Sequence, residues 1–466
     1  MQFYLPGNQF AVPGPLAILV LLLWIPTVLY IFMRFPAQKA IVISFISAWL
    51  FLPEAAIGLS GLPDYTKVSA TCYGVILATI IYDVGRFSTF KLSALDLPML
   101  MWCICPFITS VSNGLGWYDG VSATLIQTVT WGLPYFVGRL YLNNLAALRQ
   151  LAIGIFIGGL AYIPLCLFEI RMSPQLHNKI YGAHAFADFA QSVRYDGFRP
   201  TVFLRHGLAV GAWMMVATLI GIWLWQTGTL KKLWNIPIKW LVAALFITLV
   251  LCKSTGAYML LLFGAGIMFF GKIFRTSIPV FLLVVTMGVY LYINAATETY
   301  FTDQLVTSLS AVFDEERIQS LEFRFNNEEV LTDHARKRPV FGWGGWNRSR
   351  IEDPSTGKLA IQDSLWIIAF GTYGAFGLIA WMVSMSLPVL SLLTLYPASY
   401  WSRREVASIA VLAVALTMYM LDCLLNAMVN PIYILVCGGI SGIVQKGPVQ
   451  QQLRRKPKKS RRVPAS

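Results

Sequence analysis

The side chains of this chain best suited to chemistry are arginines, one lysine, two histidines and one aspartate, gathered in a few polar segments. Arg199, Arg205 and His206 stand in RPTVFLRHG (199–207), a few residues after Arg194. Arg317, Arg324 and His334 stand in the polar run 314–338, Lys253 in KSTG, and Asp363 in QDSLWIIAFGTYGAFG (362–377). Converging guanidinium groups can clamp a diphosphate through bidentate, charge-assisted hydrogen bonds. The plainer alternative is that these arginines pair with Glu315, Glu316 or Glu322, or reach along apolar surface to water. Asp363 opens a long apolar run, so it suits either an ordinary helix N-cap or a base that takes a hydroxyl proton.

Between these groups lies RPVFGWGGWNR (338–348), with Phe341, Trp343 and Trp346 around Gly342, Gly344 and Gly345. Exposed indoles offer flat apolar faces with a polar edge, which suits a sugar-binding or lipid-facing lip; a turn anchored by interfacial tryptophans is the simpler alternative. The sequence has no Walker A loop, no HExxH and no DxD-like pair in its polar loops. The DEE run at 314–316 reads as a helix N-terminal charge cluster rather than a metal site. Seven cysteines fall in or beside apolar runs without CxxC spacing and read as small buried hydrophobes, not disulfides.

The elements that must position these groups are membrane helices. Of 466 residues, 57% are hydrophobic and only 12% charged, against about a quarter charged in a soluble domain. That excludes a cytosolic enzyme, a disordered chain and a disulfide scaffold. Spanning a bilayer takes roughly 20 apolar residues. Runs near that length lie at 16–33, 40–60, 68–84, 98–112, 121–142, 151–169, 206–226, 239–252, 257–271, 278–294, 364–396, 406–426 and 432–444. The expectation is an all-α polytopic membrane protein of 12–13 transmembrane helices, with Pro388 kinking or ending the helix in the overlong run. The first run has no Lys or Arg before it and reads as an uncleaved anchor.

Thirteen Lys and Arg residues fall in the short loops of one side, from Arg34 to Arg404, while the other side's short loops carry only Lys67 and Lys253. The positive-inside rule makes the first side cytoplasmic, with the C-terminus inside and the N-terminus outside. Two long loops, 170–205 and 295–362, then face outward and hold the histidines and most acids. The resulting divisions are an N-terminal bundle (1–294), a large outer loop (295–362), C-terminal helices (363–445) and a basic tail (446–466). Within the outer loop, 314–338 reads as a helix with Ile318, Leu321 and Phe325 on one face. The net charge of +14 is mostly a topology signal, since Lys446 and seven basic residues of 454–462 lie on the cytoplasmic side. That tail suits anionic lipid rather than nucleic acid. Glu54 and Asp422 lie within spans, and Asp83 and Glu169 near span ends; intramembrane acids raise the alternative of an ion pathway.

The order of these features resembles the O-antigen ligase and polymerase superfamily of integral-membrane glycosyltransferases. The family signature is a His followed by Asn, Ser or Gln, nine residues, then GxxG. Here Asp363-Ser364, nine residues and Gly374-Ala-Phe-Gly377 fit that spacing, with Asp in the histidine's place. Arg324 and RPVFGWGG resemble the family's approach to the motif, KSTGA (253–257) a short outer turn that often carries Ser-Arg-Gly, and RPTVFLRHG the end of its smaller outer loop.

The resemblance implies transfer of a glycan from undecaprenyl diphosphate to lipid A-core or to another lipid-linked repeat, at the outer face of a bacterial inner membrane. The implied chemistry is inverting and metal-independent, without a cofactor. Asp363 would be the base, or His334 would supply it from the loop. Arg324 would act with it, and Arg199, Arg205, His206, Lys253, Arg317 and Trp343 would bind substrate. The rival expectation from another class is a transporter or flippase for a lipid-linked or ionic solute, which the absence of internal pseudo-symmetry in the sequence disfavours.

Overall fold

A computed structural model describes residues 13–59, 62–185, 189–194, 197–297, 315–345, 347–352, 357 and 360–447. The Arg317 side chain, Trp346 and the basic tail beyond residue 447 lie outside the described residues.

The chain is an all-α polytopic membrane protein. Its helices are α1 (Pro15–Arg34), α2 (Ala37–Phe51), α3 (Lys67–Tyr82), α4 (Leu97–Ser112), α5 (Trp117–Gln127), α6 (Leu133–Tyr141), α7 (Leu145–Met172) and the short α8 (Leu176–Tyr181). They continue with α9 (Gly207–Gln226), α10 (Ile238–Leu251), α11 (Thr255–Phe274), α12 (Ile278–Ala296), α13 (Glu315–Arg336), α14 (Leu365–Leu395), α15 (Ala407–Asp422) and α16 (Pro431–Lys446). Seven of the described helical runs are long and apolar enough to cross a membrane, and five more are shorter apolar helices. A π turn at Thr128–Gly132 joins α5 to α6 in one further run. Each expected span corresponds to one of these.

Hydrogen bonds between connections sort them to two ends of the bundle. At one end Gln38 donates to the Tyr141 carbonyl at 3.1 Å, Arg149 to Thr229 at 3.0 Å and Gln445 to Lys91 at 2.9 Å. At the other, Asn113 donates to Gly342 at 3.0 Å, Arg199 to Ser254 at 3.0 Å, and the Leu365 amide to Cys423 at 3.0 Å. The first is the basic end and the second holds both long loops. Helix α9 runs through the middle, while α1 and α12 leave leucine and phenylalanine side chains such as Leu22, Leu23, Phe281 and Leu282 exposed on the bundle's outside.

Two ion pairs are largely buried, and Glu54, expected within a span, lies instead in the connection between α2 and α3. Lys67 meets Glu54 at 2.5 Å with both side chains nearly buried, and Lys67 also lies over the Trp49 ring. Arg139, counted in the sequence as a loop cation, is instead buried against Asp96 at 2.6 Å, with Tyr135 donating to the same carboxylate at 2.7 Å.

Pro388 does not end its helix: α14 runs through it to Leu395. The Ser384 carbonyl, deprived of its ordinary partner by the proline, accepts from the Cys437 thiol at 3.2 Å instead. Cys105 does the same for the Trp102 carbonyl beneath Pro106, at 3.1 Å. All seven cysteines are free and buried. The break in α14 falls at Gly374, with φ 66° and ψ −164°, a conformation essentially reserved for glycine.

Candidate functional site at the long-loop end

Site geometry begins at the end of α7. The Glu169 carboxylate is wholly buried, rather than interfacial as its position near a span end suggested. It accepts from the amides of Leu176 at 2.8 Å, Thr201 at 2.8 Å and Val202 at 2.7 Å. This fixes the turn that follows Arg199. Arg199 then lies along the first turn of α9, where a side chain at Gly207 would sit 2.6 Å from the arginine's Cδ. Likewise a side chain at Gly211 would collide with Ser254 at 2.7 Å, so the glycine admits the KSTG turn.

Arg199 is 6% exposed, donates from Nη2 to Ser254 Oγ at 3.0 Å, and has no partner at Nε. Among the described residues it has no carboxylate partner. Burial, with Arg194 and Arg324 nearby, pulls its guanidinium down to about 10. A buried cation left without a counter-charge is costly, and burial normally demands pairing. Lys253 donates to the Arg194 carbonyl at 2.9 Å, which closes the turn on the same side. His206 caps α9: its Nδ1 accepts from the Leu208 amide at 3.0 Å and its Nε2 faces Gln191 Oε1 at 3.0 Å. Burial and the surrounding Arg199, Arg324, Arg194 and Arg205 hold its imidazole down at about 3, so it is neutral.

Across from this group stands α13, whose Arg324 senses both sides. Its charge acts on Arg199 and His206, and also on Glu328, Asp363 and Asp422. Its nearest hydrogen-bond acceptor is the Leu425 carbonyl, at the long limit of 3.5 Å. Asp363 is half-buried and makes no hydrogen bond among the described residues. The N-cap of α14 is Ser364, not Asp363, so the capping role expected as an alternative for the aspartate is not filled. Burial raises the Asp363 carboxyl above the usual carboxylate range, with Arg324 opposing. Asp422 accepts from Asn426 at 2.7 Å.

Arg199, Arg205, His206, Lys253, Arg324 and Asp363 thus come together from four segments of the chain, with Asp422 beside them. His334 and Trp343 do not join them. Ten residues of helix separate Arg324 from His334, roughly 15 Å along the axis at 1.5 Å per residue. His334 stacks on Trp343 with centroids 4.3 Å apart, and the indole donates to the His334 carbonyl at 2.9 Å. Its Nε2 lies 2.9 Å from the Arg348 carbonyl, and Arg338 sits over the same indole. Trp343 is therefore half-buried between loop residues rather than presented as a free face.

The glycine-rich segment has a backbone role. Trp343 and Gly344 donate to the carbonyls of Gly371 and Thr372 at 2.9 Å each. Ala375 and Phe376 donate to Pro339 at 2.7 Å and Val340 at 3.1 Å. The break at Gly374 frees these groups, and the 339–344 segment satisfies them. Close approach demands glycine on both sides: a side chain at Gly342 would meet Thr372 at 2.5 Å, and one at Gly374 would meet Val340 at 2.4 Å.

One residue escaped the sequence reading. Glu328 is 8% exposed and accepts from Tyr290 of α12 at 3.0 Å and Trp366 of α14 at 3.1 Å. It extends the stripe of Ile318, Leu321 and Phe325 by one more turn, so an acid on the apolar face of this helix was the available signal. The chain matches no protein-family model and no curated protein sequence.

Proposed function

We propose that this protein is a membrane glycosyltransferase of O-antigen ligase or polymerase type, acting at the outer face of a bacterial inner membrane. The observation that carries the proposal is Arg199, a buried guanidinium that has no carboxylate partner among the described residues, in the same polar cluster as Arg324 and a half-buried Asp363 that makes no hydrogen bond among them. In this reading the long-loop end faces outward, because the opposite end holds most short-loop Lys and Arg.

The donor diphosphate of an undecaprenyl-linked glycan lies against Arg199 and Arg324. Asp363 takes the proton of the acceptor hydroxyl as that oxygen attacks the anomeric carbon. The bond from that carbon to the diphosphate oxygen breaks, and its electron pair leaves on the diphosphate, where the guanidinium groups offset the developing charge. A carboxyl raised above its ordinary range is a better base near neutrality than a free aspartate. Of the four acids that raised the rival ion-pathway reading, Glu54 pairs with Lys67, Asp83 pairs with Arg86 and Glu169 is held by three backbone amides, which leaves Asp422.

The test is complementation of a deletion strain with wild type, Asp363→Ala and Arg324→Ala, reading surface glycan on a gel. Both variants should lose product at wild-type protein level, and an unchanged pattern from well-expressed variants would sink the assignment. Bare core with lipid-linked polymer accumulating identifies a ligase, and core capped by a single repeat identifies a polymerase.

A further inference from the structure

Helix α13 carries Arg324 into the site, yet it belongs to the outer loop and must be held against the bundle by its own contacts. Its anchorage is polar as well as apolar. Phe325, Leu331 and Ala335 are buried beneath it, and Glu328 sits among them as a buried acid. One Glu328 oxygen meets Tyr290 of α12 and the other Trp366 of α14, so a single carboxyl bridges two spanning helices. Its backbone carbonyl also accepts from the Thr332 hydroxyl one turn on, at 2.6 Å.

Four groups bear on Glu328. Tyr290 faces it from α12, and Trp366 and the buried Ser364 face it from α14. Arg324, one turn back on its own helix, is a cation acting on it, and no ion pair joins the two among the described residues. Among the described residues, therefore, none forms an ion pair with the carboxyl. An ionised carboxylate there would be stranded in a poorly solvated place, whereas a protonated one satisfies the same bonds.

We propose that Glu328 is the positioning residue of the site, a protonated carboxyl that latches α13 to α12 and α14 and so sets Arg324 opposite Asp363. The importance of that placement rests on the transferase reading; the latch itself does not. Burial raises the Glu328 carboxyl from an ordinary 4.5 to about 7. The sign follows from proton linkage: the docked helix binds the proton more tightly than the undocked one. Docking is therefore strongest below the ordinary carboxyl value, weakens as pH rises toward 7, and levels off above it. Across that window the docking equilibrium falls by roughly 300-fold, one decade for each pH unit.

Hydrogen exchange of the α13 backbone amides, measured on the full-length protein in nanodiscs between pH 4.5 and 8 and corrected for intrinsic rates, tests this without any transfer assay. Wild-type protection over 318–336 should fall with pH up to about 7 and then stay level. Glu328→Gln, which keeps the shape and both acceptor and donor capacity, should be protected at all pH values with no such slope. Glu328→Ala should be poorly protected throughout. Wild-type protection that is flat with pH, or a Glu328→Gln slope equal to that of wild type, would overturn the latch. If exchange behaves as expected while Asp363→Ala and Arg324→Ala retain full surface glycan, the latch stands and the transferase reading fails.

Discussion

Replacing Gly374 by alanine perturbs the break on which the α14 entrance is built. The residue holds φ 66° and ψ −164°, where any residue with a side chain pays about 1–3 kcal/mol in strain. The added Cβ would sit 2.4 Å from both the carbonyl carbon and oxygen of Val340. Those are backbone atoms, which cannot rotate aside. Relief requires the 339–344 segment to separate from α14, which breaks the bonds of Trp343, Gly344, Ala375 and Phe376 to the facing strand of chain. At about 0.5–1.5 kcal/mol each, these four bonds bring the loss to roughly 3–9 kcal/mol. That is a large share of a typical folding free energy of about 5–15 kcal/mol. Gly288→Ala in α12 is the control, because nothing lies within 4 Å of its added Cβ. It should be neutral or stabilising by up to about 1 kcal/mol through helix propensity. Thermal unfolding followed by tryptophan fluorescence, with hydrogen exchange over 339–345, separates the two. A Gly374→Ala protein with an unchanged midpoint and unchanged exchange in that segment would refute the reasoning.

Further outcomes are expected from the charged groups. Arg199→Met should raise or preserve the unfolding midpoint while abolishing transfer, because it removes a buried cation that has no carboxylate partner among the described residues; a marked loss of stability would mean the arginine is structurally compensated. Lys67→Met should cost about 3–5 kcal/mol by leaving Glu54 buried alone, and Glu54→Gln in the same chain should recover most of that in a double-mutant cycle. With α13 docked, transfer should rise with pH through a limb displaced above the ordinary value for aspartate, since Asp363 must be ionised to act and burial raises it; Glu328→Gln, whose docking does not change with pH, isolates that limb. Asp363→Asn should remove that limb and lower the rate by about 10²–10⁴-fold, read from initial rates between pH 4 and 8.

The membrane architecture was legible because hydropathy is a local property: a run of apolar residues must be buried in lipid or protein wherever it lies. The helix within 314–338 and the gathering of both long loops at one end follow from periodicity and parity of crossings. What the sequence hid depended on partners distant in the chain. Pro388 is a helix breaker by rule, yet the Cys437 thiol, on another helix, satisfies the carbonyl it exposes. Gly374 entered the sequence reading as the first glycine of the GxxG spacing and is a backbone break, visible only with Val340 and Gly342 opposite it. Trp343 offered either a free aromatic face or a turn anchor, and its stacking on His334 decides against the free face. Arg139 was counted among the short-loop cations, and Asp96 beside it buries it instead. Ion pairing and stacking are decided by which elements meet, and residue type alone does not say.

The central claim is that the Arg199, Arg324 and Asp363 cluster cleaves a glycan from a polyprenyl diphosphate. The most direct measurement incubates the full-length protein, reconstituted in vesicles of anionic lipid, with undecaprenyl-diphosphate-linked glycan and acceptor, and follows release of undecaprenyl diphosphate by mass spectrometry. Wild type should release it in step with acceptor glycosylation, and Asp363→Ala and Arg199→Met should not. Release by either variant at the wild-type rate, or an intact donor with folded wild-type protein and both candidate acceptors present, would contradict the account.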